Sequence, residues 1–314
     1  MGKKKSMHYQ AALVLGAATC TGRSKFSDKK PSNNNHPYGV YSVGTRDNYI
    51  ADVDRFGRFC EKTFGETDLT KCFIYIPAYL DYLKAKGRAV TTLHKYKFAI
   101  QKYYDAICHG YKVDYDTGKR TRAKITKNRS SISDVPDFDE KKHEFALNFG
   151  KATGLRVSEM KTLRYNDIIY NQADDSFSVF VFKGKGGKQR ISPVLPKYYS
   201  MFRKIYYSDH SDKNIFYTKK KIVKQNLTGI DESHILPVRF PEHRCRRSYA
   251  NTWYEKLARD TDTITMREEK YVCRKDLKGT IYDRTAMLSV SKFLGHNRVS
   301  VIAEHYLGKT ETEE

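Results

Sequence analysis

The sequence predicts a mostly α-helical chain in two parts: an N-terminal helical domain, then an α+β domain built around a small antiparallel sheet. Three observations predict it. At 314 residues the chain is long enough for about two domains. Residues 45–108 carry apolar side chains at alternating spacings of three and four, the period of a helix face. From Pro136 onward the pattern is mixed: "SFSVFVFKGKGGKQRISPV" alternates Phe177, Val179 and Val181 against Phe180 and Phe182, then turns on glycines and returns.

Taken in order, residues 1–44 mix basic residues with Ser, Asn and Pro ("GRSKFSDKKPSNNNHPYG") and read as a basic flexible arm. The apolar run 11–18 is too short to span a bilayer. It follows Lys3, Lys4 and Lys5, but a secretory signal would export a basic chain that has no disulfide framework, so this reading is set aside. The helical domain over 45–108 starts after Thr45 with Tyr49, Val53, Phe56 and Cys60 on one face. Pro77 suits the first turn of its second helix, with Ile76, Leu80 and Leu83 together. Thr91 or Thr92 is placed to cap the third, where Leu93, Tyr96, Ile100, Tyr103 and Ile107 recur. Lys95, Lys97 and Lys102 fall on exposed faces, and Lys95 is taken as a DNA contact.

Residues 109–137 form a basic interdomain linker. Lys119, Arg120, Arg122, Lys124, Lys127 and Arg129 occur there with no acid between them, which gives an extended, solvated strip or one that lies along a phosphate backbone. The second domain covers 138–314. Asp137 or Asp139 opens its first helix, and further helices fall near 196–207 and 246–258.

Composition limits the partner. Lys plus Arg is 58 against 36 Asp plus Glu, a net charge of +22 with pI near 9.6, which calls for a polyanion. Aromatic residues at 13% exclude a disordered basic tail, which lacks core formers. The six cysteines show neither zinc-ligand spacing nor close pairing, which fits reduced thiols in the cytoplasm.

Four stretches of the second domain concentrate cationic and phosphate-binding groups. In "ATGLRVSEM" a Thr-Gly turn delivers Arg156 to a helix start, with Glu159 one turn on. "KGKGGK" carries Lys183, Lys185 and Lys188 on a tight glycine turn. "HRCRRSYANTW" sets His243 and Arg246 three apart. "FLGHNRVSVIAEHYLGK" holds His296 and Tyr306. Singly these read as a surface ion pair, a hairpin, a decorated helix and a core tyrosine. Together they suit one task. Arginine forks bind phosphodiester oxygens and stabilise the charge that builds at five-coordinate phosphorus. A tyrosine can attack phosphorus, given help to ionise a phenol whose free pKa is about 10. A lysine can protonate the departing 5′ oxygen. That chemistry needs no metal or other cofactor.

The order "TGLRVSE", "GKGGKQR", "HRCRRSYA", "LGH" and a late tyrosine resembles the tyrosine recombinase (phage integrase) family over about 138–306. The resemblance implies a helical core-binding domain and a catalytic domain that clamp duplex DNA. It also implies Arg156 and Arg246 as the phosphate clamp, Lys185 as general acid with Lys183 and Lys188 as competitors, and His243 in proton transfer. His296 would be a phosphate ligand, Glu159 a brace and Tyr306 the nucleophile. It further implies specific double-stranded recombination sites, a tetrameric synapse, an accessory DNA-bending or directionality factor and a nucleoid-associated cytoplasmic protein without a membrane partner. The expected function is site-specific recombination through a 3′-phosphotyrosyl link, in integration or excision of a mobile element. A type IB topoisomerase-like enzyme, a dimer resolvase and a non-cutting DNA-binding derivative are the alternatives. Cys245 stands for the usual aliphatic residue and Arg247 for a frequent histidine. The interval from His296 to Tyr306 is one residue longer than the commonest, which sets His305 at the usual place; histidine suits the nucleophile's part poorly, so Tyr306 is kept. Residues 259–290 are an insert, read as an added hairpin or loop near the active site.

Overall fold

The computed structural model describes residues 5–21, 39–119, 135, 138–184, 189–208, 212–274, 277–296 and 298–307. The chain divides into two compact units, Met1–Thr126 and Lys127–Glu314.

The first unit is helical: α1 (Met7–Ala17), α2 (Val43–Phe64), α3 (Ile76–Ala85) and α4 (Val90–Ile107). Helix α1 corrects the reading of 1–44 as an arm over Met7–Ala17. The Ser6 hydroxyl accepts the Tyr9 N–H at 3.2 Å and caps it. Met7, Ala11 and Leu15 are buried in the unit's core. The Gln10 side chain then ties α1 to the loop after α2, donating to the Thr67 carbonyl and accepting from the Leu69 N–H, both at 2.9 Å. The run 11–18 is apolar on nearly every side, so it has no helix-face period to detect.

Helix α2 opens at Val43 because Ser42, rather than Thr45, provides the cap; its hydroxyl accepts the Thr45 N–H at 3.1 Å. Helix α4 opens at Val90, one residue before the expected threonine caps, with Ala89 in the cap position. The first part of the predicted linker is also fixed. Val113 and Thr117 are buried. The Lys97 ammonium donates to the Tyr115 carbonyl at 2.7 Å, and the Tyr115 hydroxyl donates to Asp81 at 2.6 Å. So 111–117 straps the helices of this unit.

The second unit begins with α5 (Glu144–Thr153), α6 (Val157–Met160) and the strands β1 (Ile168–Asn171), β2 (Ser176–Val181) and β3 (Arg190–Pro193). These form an antiparallel sheet in the order β1-β2-β3. In β2 the side chains of Phe177, Val179 and Val181 are buried, and its register to β3 pairs Val181 with Arg190 and Val179 with Ser192. Helix α5 starts at Glu144 rather than near Asp139, whose carboxylate instead accepts the Lys142 N–H at 3.0 Å in a turn.

After α7 (Tyr199–Ser208), a short parallel pair, β4 (Tyr217–Thr218) and β5 (Ile235–Leu236), flanks α8 (Lys219–Gln225). Helix α9 (Glu242–Leu257) then packs on α5, with Cys245 fully buried and its thiol toward the Leu147 carbonyl at 3.8 Å. Within 259–290 an antiparallel hairpin, β6 (Lys270–Val272) and β7 (Ile281–Asp283), leads into α10 (Arg284–Phe293). The described chain closes with α11 (Ser300–His305) and Tyr306. Residues of α9, α10 and α11 share one core: Tyr249, Trp253, Met287, Val290, Leu294, Ile302, Tyr306 and Leu307. Among the described residues no helix is long and apolar enough to cross a membrane.

Leu15 is fully buried, so Leu15→Ala should destabilise the chain by about 2–5 kcal/mol in urea unfolding followed by circular dichroism. A change within about 0.5 kcal/mol, as for an exposed position, would return α1 to the arm.

Candidate active site

The site starts where α5 stops. Gly154 takes φ +60°, and a Cβ there would lie 2.5 Å from the Tyr249 ring, so only glycine fits. Its left-handed turn ends α5 and sends the chain into Arg156, which sits extended at the head of α6. Glu159, at the third position of α6, reaches back to accept the Arg156 N–H at 2.8 Å, the carboxylate half of a capping box. The Glu242 carboxylate of α9 accepts the next N–H, that of Val157, at 2.9 Å. Two carboxylates thus hold the α6 N-terminus beside the start of α9.

Glu159 carries more than the cap. Its carboxylate accepts the Arg156 Nη1–H at 3.0 Å and both arms of the Arg190 guanidinium at 2.8 Å. Burial alone would push this carboxyl up. The two guanidinia outweigh it, Arg190 by hydrogen bonds and charge and Arg156 by its backbone N–H and charge, and hold the carboxyl down at about 2. Arg190 is itself anchored, its Nε–H donating to the Phe293 carbonyl at 2.9 Å.

The second cluster centres on Arg246 in α9, which is 1% exposed. Its guanidinium donates to the Gly154 carbonyl. It also donates to the Leu294 carbonyl at 3.0 Å and to the Tyr306 hydroxyl at 3.4 Å. The His296 Nε2 lies 3.3 Å from its Nη2 and 3.2 Å from the Tyr306 hydroxyl. Gly295, at φ +70°, makes the turn between Leu294 and His296; a Cβ there would press on the Arg190 side chain at 3.1 Å. The Ser291 hydroxyl donates to the His296 carbonyl at 3.1 Å, and the His296 N–H donates to the Ser291 carbonyl at 2.7 Å. Burial lowers the pKa of Arg246 from its ordinary value, with the Tyr306 oxygen acting against that and the nearby Arg156 charge adding to it.

The structure therefore brings Arg156, Glu159, Arg246, His296 and Tyr306 together. Tyr306 is 7% exposed with its hydroxyl on the guanidinium, whereas His305 is exposed. His243 lies on the first turn of α9 and is exposed. Lys119 and Lys183 are exposed. Lys95 is exposed, and its ammonium lies 3.0 Å from the buried Asp52 carboxylate. Lys185, Lys188, Arg120, Arg122, Lys124, Lys127 and Arg129 lie outside the described residues. Among the described residues no group of three or more His, Cys, Asp or Glu is placed to hold a metal ion.

Arg190 is the site residue that sequence reasoning missed. Arg190 and Ser192 face inward from β3 while Ile191 is 55% exposed, the reverse of a core strand, so hydrophobic alternation gave no signal for it.

No protein-family model and no curated protein matches the chain. Solved structures do. The chain is similar to the XerH site-specific recombinase in a post-cleavage complex with palindromic difH substrate, at 11% identity and TM-score 0.51, over 99% of this chain and 95% of that one. It also matches the Tn1549 transposon integrase in complex with circular intermediate DNA, at 14% identity and TM-score 0.44, over 87% and 92%. The first of these shows that the chain has the tyrosine recombinase fold.

A carboxyl held down by folding stabilises the fold above its ordinary pKa, near 4.5, and that stability is lost as pH falls toward about 2. For Glu159 the loss amounts to roughly 3 kcal/mol. In urea unfolding read by the lone Trp253, Glu159→Gln should therefore show a shallower fall in stability between pH 5 and pH 2 than the parent chain. Parallel pH profiles would mean that the two guanidinia do not hold this carboxyl.

Proposed function

We propose that this protein is a site-specific DNA recombinase that cuts and rejoins strands through a phosphotyrosyl link on Tyr306. One observation carries the reading above the others. The Tyr306 hydroxyl lies within hydrogen-bonding distance of both a buried guanidinium and an imidazole, at 3.4 and 3.2 Å. A guanidinium at that place offsets the negative charge that builds as a tyrosine oxygen attacks phosphorus. The neighbours add the rest. Arg156 and Arg246 supply two forks for the non-bridging oxygens, and the His296 edge supplies a third contact. Glu159, braced by Arg190, fixes where Arg156 starts.

In the forward step the Tyr306 oxygen bonds to phosphorus and the bond to the 5′ oxygen breaks. The phenol proton passes to a histidine, for which His243 and His296 are the candidates. The departing oxygen takes a proton from the glycine-turn lysine, Lys185, with Lys183 and Lys188 as competitors. The strand is left as a 3′-phosphotyrosyl ester and a free 5′ hydroxyl. A partner strand's 5′ hydroxyl then reverses the step, and the covalent link conserves the phosphodiester energy. Lys119 and the basic residues up to Arg129 would neutralise backbone phosphates. Exchange between two duplexes calls for a homotetramer, and integration or excision of a mobile element is the setting the sequence motifs fit. Work on DNA would place the protein with the nucleoid in the cytoplasm.

On a nicked duplex that traps the intermediate, Tyr306→Phe should bind DNA as the parent does and give no covalent adduct. Arg156→Ala should lower the cleavage rate by roughly 10²–10³. Adducts persisting in Tyr306→Phe would overturn the nucleophile. Relaxation of a plasmid without a recombination site, at monomer concentrations, would move the reading to a type IB topoisomerase-like enzyme.

A further inference from the structure

The hairpin insert touches the tyrosine segment directly. Tyr282 of β7 donates its hydroxyl to the carbonyl of Leu307, the residue after Tyr306, at 2.7 Å. Its ring packs against the core that holds Tyr306 and Leu307 and stands edge-on to Tyr254 at 5.7 Å. Burial pushes the Tyr282 hydroxyl's pKa up from its ordinary value.

The hairpin is in turn pinned at its base. Arg259 at its entry donates from Nε to the Asp283 carboxylate at 2.8 Å and from Nη2 at 3.1 Å, with a third bond from its backbone N–H at 3.1 Å. The same guanidinium reaches Glu269 at 3.0 Å. Asp283 at the exit accepts the Thr285 N–H at 2.8 Å and the Ala286 N–H at 3.3 Å, and so caps α10. The Asp283 N–H donates to the Tyr254 hydroxyl at 2.9 Å. One strand, β7, therefore fixes both ends of the catalytic C-terminal stretch. Asp283 starts the helix that delivers Leu294 and His296, and Tyr282 holds the backbone just past Tyr306.

We infer that the insert is an internal brace for the nucleophile and that Tyr282 is a positioning residue, acting through the Leu307 carbonyl on the Tyr306 hydroxyl. The inference rests on Tyr306 being the nucleophile. Tyr306 follows a helix of only six residues, Ser300–His305, and its own N–H makes one helix-type bond, to the Ile302 carbonyl at 2.9 Å, so its backbone is set largely by what holds the residues just after it. Misplacement of an attacking atom by about 1 Å costs on the order of 10²-fold. One hydrogen bond past the nucleophile limits that freedom without touching the phosphate.

The test uses the full chain and single-turnover adduct formation at saturating DNA, on an ordinary trap substrate and on one with a sulfur in place of the bridging 5′ oxygen. Thiolate leaves without a general acid. Tyr282→Phe removes only the hydroxyl, and the adduct rate should fall about 5–10-fold, in line with one lost hydrogen bond. DNA affinity and final adduct amplitude should stay at parent values, and the defect should be the same size on the sulfur substrate. A parent rate, a lower amplitude or weaker binding, or a rate restored by the sulfur substrate would each overturn the positioning role. Tyr306→Phe runs alongside: adducts in that variant would instead sink the nucleophile assignment itself.

Discussion

A guanidinium at 1% exposure has to be solvated by the protein, and the geometry of the second unit follows from how Arg246 meets that requirement. An unpartnered buried charge costs several kcal/mol. Arg246 is given the Gly154 and Leu294 carbonyls, the Tyr306 hydroxyl and the edge of His296. These come from three segments, at Gly154, at Leu294 to His296 and at Tyr306, and each needs a local device to present its acceptor. Gly154 turns left-handed at the end of α5, and Gly295 does the same after α10. The tyrosine arrives on a short helix packed in the core shared by α9 and α10.

Glu159 organises the neighbouring charges in the same manner. One carboxylate receives two guanidinia and a backbone N–H, which draws β3, α6 and, through the Phe293 carbonyl, the end of α10 to one place. The net result is three arginines against one buried carboxylate. The hydrogen bonds of these arginines, working against the repulsion of their like charges, hold residues separated by more than a hundred positions together.

Much of this was legible in the sequence, and the exceptions have physical causes. The fold class, the two units and the β2–β3 hairpin follow from periodicity, because a half-buried strand and an amphipathic helix write their periods directly. Arg156, Glu159, Arg246, His296 and Tyr306 stood out because they travel in short motifs with turn glycines. Helix α1 escaped, since a run apolar on all sides has no face to read. Arg190 escaped because a four-residue strand is too short to fix its phase, and its inward arginine and outward Ile191 reverse the usual pattern. Lys95 is exposed as its helix face implies, but its pairing with Asp52, a buried carboxylate 43 positions earlier, is something no local pattern reveals. The extra residue between His296 and Tyr306 mattered less than the spacing alone implied, because Tyr306, and not the exposed His305, faces the guanidinium.

Peptide mapping of the trapped protein–DNA adduct shows whether the Tyr306 oxygen is the proposed nucleophile. Trypsin digestion and mass spectrometry should find the DNA on the peptide that begins at Val299 and contains Tyr306, joined to a strand's 3′ phosphate. An adduct on any other tyrosine, or on a 5′ phosphate, would contradict the account.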